Sequence, residues 1–168
     1  MSVLGELQPN KVFKYFEEIC SIPHGSRNLQ QISDYLVDFA KAHELKYRQD
    51  EDLNVIIWKD GSKGYEASEP VILQGHMDMV AVKEADCDKD MEKEGLDLEI
   101  NGDYISAKGT SLGGDDGIAV AYTLAVLDDE EMAHPPIEAI FTVNEEIGML
   151  GAATIAVSYT HLTLPTIA

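Results

Sequence analysis

The sequence predicts a mixed α/β fold, one sheet flanked by helices, with its chemistry gathered at the carboxyl edge of the strands. Three observations lead there. Segments with apolar residues at helical spacing alternate with short β-branched runs. Three sharp polar clusters fall where apolar segments begin or end: Gly75-His76-Met77-Asp78, Gly113-Gly114-Asp115-Asp116-Gly117 and Asn144-Glu145-Glu146-Ile147-Gly148. Open α/β sheets carry their sites at such strand ends. Finally, 168 residues, 45% of them hydrophobic, suffice for one domain with a real core.

Taken in order, residues 9–20 form a first helix: Pro9 stands near its start, and Val12, Phe13, Phe16 and Ile19 recur at helical spacing. Ser21 to Asn28 breaks it with Pro23 and Gly25, and His24 reads as an exposed loop histidine or a substrate contact. Asn28 is placed to cap a second helix whose stripe is Leu29, Ile32, Leu36 and Phe39. Leu53–Trp58 is β-branched and aromatic, hence a strand; Asp60–Gly64 is a turn; Val71-Ile72-Leu73 reads as a short buried strand. The charged, apolar-poor stretch 83–94 reads as a surface loop. Asn101-Gly102 between Leu96–Ile100 and Tyr104–Ser106 signals a hairpin. A helix from about Ile118 to Leu127, rich in small and apolar residues, is expected to be buried on most sides. Ile137–Val143 is a further strand, after the break at His134-Pro135-Pro136.

A net charge of −19 argues against nucleic acid or an anionic membrane as partner. It does not by itself indicate a cation site, since runs such as Asp128–Glu131 are ordinarily solvated. Cys20 and Cys87 form no C-x-x-C pair or disulfide framework, so a reducing compartment is expected, with Cys20 acting as a small buried hydrophobe. The N-terminus lacks a signal-peptide pattern, and no run of about 18 apolar residues offers a membrane span. The expected location is the cytoplasm.

On an extended segment His76 and Asp78 point the same way, so the carboxylate is placed to fix the imidazole as a metal ligand needs. The glycine loop before Asp115 lacks phosphate-cradle patterns, and two aspartates would repel phosphate; a cation is the better guest. Asp115 is then a ligand or a helix cap, and Asp116 complements the helix start. After a buried strand Glu145 and Glu146 should diverge, one toward metal and one toward a proton, unless both are plain loop residues. Histidine and carboxylate donors without cysteine suit Zn²⁺, with Mn²⁺ or Co²⁺ as substitutes. A carboxylate bridging two ions would hold them about 3.5–4 Å apart.

These three motifs, with Ile22-Pro23-His24-Gly25-Ser26 after the first helix, resemble the co-catalytic zinc aminopeptidase and carboxypeptidase clan, and within it the aminoacylhistidine (cytosol non-specific) dipeptidases. The resemblance runs from the N-terminus to about Ala153 and implies a zinc-exopeptidase-like catalytic domain. It implies that His76 binds one zinc, Glu146 the other, and Asp115 both. Asp78 would orient His76, Glu145 would be the general base, and the Asp115–Asp116 peptide would be cis. The reaction implied is hydrolysis of dipeptides, Xaa-His or broader, through a water activated by two zinc ions. Family members also use a later aspartate, a far C-terminal histidine, and an inserted lid domain that makes a homodimer. No aspartate follows Asp129, and His161 lies in an uncharged tail without helical stripe.

Residues 1–156 are therefore expected to be the N-terminal part of a catalytic domain, without its lid. Residues 157–168 are expected to be a non-native tail resembling translated adapter sequence, or else a genuine β-like tail. The chain as it stands is expected to be inactive and poorly soluble, with exposed sheet edges. Two alternatives stay open: a non-catalytic fragment that binds metal weakly, and an amidohydrolase of the same clan acting on N-acyl amino acids.

Overall fold

The structure is a computed structural model that describes residues 2–155. The tail at 157–168, with His161, lies outside the described residues. Helix α1 (Asn10–Cys20) begins after Pro9 and buries Val12, Phe16 and Ile19 along one stripe, as their spacing predicts. Helix α2 (Gln30–Ala42) buries Ile32, Leu36 and Phe39. Its expected cap is displaced. Leu29 occupies that position with no side-chain bond, while the Asn28 amide donates to the Glu92 carbonyl at 2.8 Å. Asn28 thus ties its loop to the charged 83–94 segment instead of closing the helix.

The strands are β1 (Lys46–Gln49), β2 (Val55–Lys59), β3 (Val71–His76), β4 (Leu98–Asn101), β5 (Tyr104–Ala107) and β6 (Ile137–Thr142). Among the described residues, one four-stranded sheet runs in the order β1-β2-β6-β3, and β4 and β5 form a separate hairpin. β1 and β6 each pair antiparallel with β2, whereas β3 runs parallel to β6. The register Val55↔Phe141 and Ile57↔Ala139 sets four fully buried side chains side by side, facing the core built with α1 and α2. Each large one contributes about 1.5–3 kcal/mol by leaving water.

Three details differ from the sequence reading. β1 was not expected; Lys46, Tyr47 and Arg48 are exposed on an edge strand, so no apolar alternation marks it. The Val71–Leu73 segment is not buried. Among the described residues β3 is an edge strand with only β6 beside it, and Val71 is 45% exposed, whereas Gly75 and His76 at its far end are buried. In the hairpin Asn101 pairs with Tyr104, so the turn is Gly102-Asp103, with Gly102 at φ 62°.

Helix α3 (Gly114–Leu127) packs against α1 and β3. Asp115 and Asp116 within its first turn have non-helical backbone angles. It is buried on most sides, with Tyr122 facing solvent. A short helix α4 (Leu150–Thr154) follows the 144–149 loop. No helix among the described residues is long and apolar enough to cross a membrane. Because β3 and β6 are parallel and His76 lies opposite Thr142, their carboxyl ends bring His76 and the Asn144–Glu146 loop to one edge.

Candidate metal centre

His76 ends β3 and is 7% exposed. Its Nδ1 lies 2.9 Å from the main-chain oxygen of Asp78. A carbonyl only accepts, so Nδ1 carries the proton and Nε2 is left as the ring's free donor of electrons. Nε2 points at Asp115 Oδ1, 3.2 Å away, with Glu145 Oε2 at 3.9 Å. Donor atoms of His76, Asp115 and Glu146 all lie within 4.8 Å of one another. Imidazole nitrogen and carboxylate oxygen, with no thiolate, are the donors that Zn²⁺ and its first-row neighbours accept.

Asp78 differs from its expected part. Its carboxylate Oδ1 is 3.6 Å from His76 Nδ1, so the short bond to the imidazole comes from its main-chain carbonyl instead. The carboxylate, fully buried, accepts from the Ser26 hydroxyl at 2.8 Å, the Glu145 N–H at 2.9 Å and the Glu146 N–H at 3.4 Å. One residue therefore aims the imidazole with its backbone and holds the acidic loop with its side chain.

Glu145 and Glu146 do not diverge. Alternation holds only for extended backbone, and this loop turns: Asn144 is left-handed at φ 54°, and the N–H groups of Gly148 and Met149 both donate to the Glu145 carbonyl. Both carboxylates consequently reach the His76 side. Asp115 stands on the opposite rim with its carboxylate 87% exposed, and the Asp115–Asp116 peptide is cis.

Asp116 turns inward instead of merely complementing the helix. Its Oδ2 accepts the His76 N–H at 3.2 Å, closing an outward-facing amide of the β3 edge. Gly75 makes this approach possible, because a Cβ there would meet Asp116 Oδ2 at 3.1 Å and Ala119 Cβ at 3.5 Å. Burial raises the Asp116 carboxyl above its usual range, opposed by the His76 N–H and imidazole and reinforced by the Asp115 and Glu145 charges. Burial pulls the His76 imidazole down, but the Asp78 carbonyl and the charges of Asp116, Asp78 and Asp115 outweigh it, and the net shift is upward. Carboxylates around one imidazole leave the centre negative, a setting for a cation.

His24 is neither exposed nor at the surface. It is 3% exposed, with Nδ1 2.6 Å from the Ile22 carbonyl, because a parallel bridge between Gly25 and Met79 draws its loop onto the end of β3. Ser26 and Asn144, which stand in the motifs quoted above without a role of their own, support the site. Ser26 bonds Asp78, and Asn144 Oδ1 accepts the Arg27 N–H at 2.8 Å, so the 24–28 loop buttresses both acidic segments. The motifs mark both positions but not their partners, since both contacts join segments distant in sequence.

No known family profile matches the chain. In sequence it is 41% identical to the cytosol non-specific dipeptidase of Escherichia coli over 152 residues, covering 90% of this chain and 31% of that protein. In structure it is similar to aminoacylhistidine dipeptidase from Vibrio alginolyticus, with a TM-score of 0.87 and 40% identity over 89% of this chain and 31% of that one. A tripeptidase from Staphylococcus aureus shares the fold at 24% identity and a TM-score of 0.73, over 92% of this chain and 41% of its own. The chain thus spans about a third of the length of the dipeptidases it matches. Over the residues it contains, the chain is similar in both sequence and structure to the aminoacylhistidine, or cytosol non-specific, dipeptidases.

Proposed function

We propose that His76, Asp115 and Glu146 are metal ligands and that the protein to which this segment belongs hydrolyses the peptide bond of dipeptides. The observation that carries this reading is the convergence of their donor atoms within 4.8 Å, from three separate elements, at the carboxyl edge of the sheet. The likeness to a cytosol non-specific dipeptidase supplies the reaction class. Zn²⁺ suits the donors best, with Mn²⁺ and Co²⁺ able to substitute. When bound, the metal supplies Lewis-acid polarisation of the scissile carbonyl and a lowered pKa for water.

The chain's own residues do the rest. Asp115, exposed on the rim, would be shared by two ions, with His76 on one and Glu146 on the other, a reading that the single cluster of their donor atoms supports. Glu145 is close to the cluster but 39% exposed, which suits a general base that takes a proton from water and returns it to the leaving amine. The Asp78 carbonyl keeps the His76 tautomer, and its carboxylate keeps Glu145 and Glu146 in place.

Each ion would have two protein ligands here, one fewer than catalytic zinc sites generally use. The isolated chain is accordingly proposed to bind metal weakly and turn over little, and residues 1–156 to form the N-terminal part of the catalytic domain. The substrate is proposed to be a dipeptide with a free amino terminus, Xaa-His included, in a cytoplasmic protein that dimerises through a lid domain and engages neither nucleic acid nor membrane.

Calorimetric titration of Zn²⁺ into this chain and into an Asp115→Ala, Glu146→Ala double variant tests the ligand set. Weak binding by the chain, lost in the double variant, is expected. Equal binding by both proteins would remove these residues from the site.

A further inference from the structure

We propose that Asn54 is a positioning residue for the Glu145–Glu146 loop, a clip that closes the neck of that loop from behind the sheet. The inference rests on the metal-centre reading only for its consequence, not for the clip itself. Asn54 immediately precedes β2 and is 1% exposed. Its side-chain carboxamide meets both ends of the loop. Oδ1 accepts the N–H of Val143, the residue before Asn144, at 3.1 Å. Nδ2 donates to the carbonyl of Gly151, just beyond the loop, at 3.2 Å. The same nitrogen donates to Asp50 Oδ2 at 2.8 Å, and Asp50 Oδ1 accepts the Asn54 main-chain N–H at 2.8 Å, so the amide is held from its other side.

The neck has a second, direct lock. Gly151 N–H donates to the Val143 carbonyl at 2.9 Å, and Leu150 N–H to the Asn144 carbonyl at 3.2 Å. Strand end and helix start are so close that a Cβ on Gly151 would lie 2.5 Å from the Val143 oxygen and would also strike Asn54 Oδ1. A group that bridges this neck has to accept on one side and donate on the other. A carboxamide does both; a carboxylate cannot donate to Gly151, and an apolar side chain would leave the Val143 N–H without its Asn54 acceptor and the Gly151 carbonyl to the Thr154 hydroxyl, which donates to it at 2.9 Å. Asn54 bonds Asp50, Val143, Gly151 and Thr154, and acts on the acidic loop only through its two ends.

The test uses the zinc-free chain, with Asn54→Asp and Gly151→Ala as two independent ways to open the neck. Ile57→Val is the control that lowers stability elsewhere. Hydrogen exchange, read under conditions where each protein is folded by circular dichroism, is expected to quicken at least tenfold at the Glu145 and Glu146 amides in both neck variants, and not in the control. Zn²⁺ affinity of the same folded proteins is expected to fall about 10–100-fold, as it does when groups supporting metal ligands are removed. Exchange at Glu145 and Glu146 that merely follows global stability, as in Ile57→Val, would overturn the clip. A parent chain that takes up no Zn²⁺ but shows the local exchange change would leave the clip standing and sink the metal reading instead.

Discussion

Replacing Asp78 with asparagine separates the two tasks assigned to this residue. The substitution keeps the shape and the main-chain carbonyl that bonds His76 Nδ1, and removes only the charge and one acceptor oxygen. The side chain is fully buried and receives two short bonds, from Ser26 at 2.8 Å and Glu145 at 2.9 Å, and a longer one from Glu146 at 3.4 Å. A bond to a charged group is worth about 1.5–3 kcal/mol net against roughly 0.5–1.5 for a neutral one, so converting the two short bonds costs about 2 kcal/mol. The new NH₂ group cannot accept from the Glu146 amide, whereas the Ser26 hydroxyl can rotate to receive it, which brings the expected loss to about 2–3 kcal/mol. At about 2–4 °C per kcal/mol for a domain of this size, the melting midpoint should drop roughly 5–10 °C. Circular dichroism of the zinc-free protein measures that drop. Nitrogen NMR of His76 should still report the Nδ1–H tautomer while the Glu145 amide shifts. A changed His76 tautomer with an unmoved Glu145 amide would refute the argument, because it would mean that the carboxylate, and not the carbonyl, orients the ring.

Other perturbations reach the same centre from different sides. Gly75→Ala sets a methyl 3.1 Å from Asp116 Oδ2 and should destabilise by about 1–3 kcal/mol in a urea melt, as overpacking does. Phe141, fully buried at the middle of the sheet, should cost about 3–5 kcal/mol on truncation to alanine, measured the same way. Burial holds the His24 imidazole below its ordinary value of 6.5, against the Ile22 carbonyl and the Asp78 charge, so the unfolded chain binds the extra proton first as pH falls. Stability is thus complete above pH 6.5 and declines below it; His24→Gln should flatten the difference between urea midpoints at pH 5 and pH 7.5. If the metal reading holds, Zn²⁺ at a hundred times its dissociation constant should add about 2.7 kcal/mol, and a chelator should take it away.

What the sequence made legible was whatever rests on local pattern. Helical spacing located α1 and α2, a run of small and apolar residues located α3, and β-branched runs located β2 and β6, because burial of one stripe or one face leaves a periodic trace and burial on most sides leaves an apolar run. The acidic clusters stood out only in combination, since polar clusters at three element ends include a histidine and paired carboxylates. The rest depended on partners that a local window does not contain. β1 is polar because it is an edge, and Val71 is exposed for the same reason. Asn28 has the composition of a cap but finds a carbonyl in another loop. The reading of Asp78 placed the right residue beside His76 and assigned the bond to the wrong oxygen, since alternation describes side chains and says nothing of a carbonyl. His24 looked exposed because its loop is rich in turn formers, yet a long-range bridge to Met79 buries it.

The strand order has a consequence for a chain still being made. Among the described residues β6 is the last strand in chain order, yet it lies between β2 and β3, both of which leave the ribosome well before it. At about 5–20 residues per second, the interval from Val71 to Thr142 is roughly 4–14 s, during which β2 and β3 each wait with an open edge. The same insertion carries Glu145 and Glu146 to His76, so on the proposed ligand set Glu146 joins His76 and Asp115 only once β6 is in place. A folding helper that shields those two edges would act before any ion does, and metal uptake would report the moment at which the sheet closes.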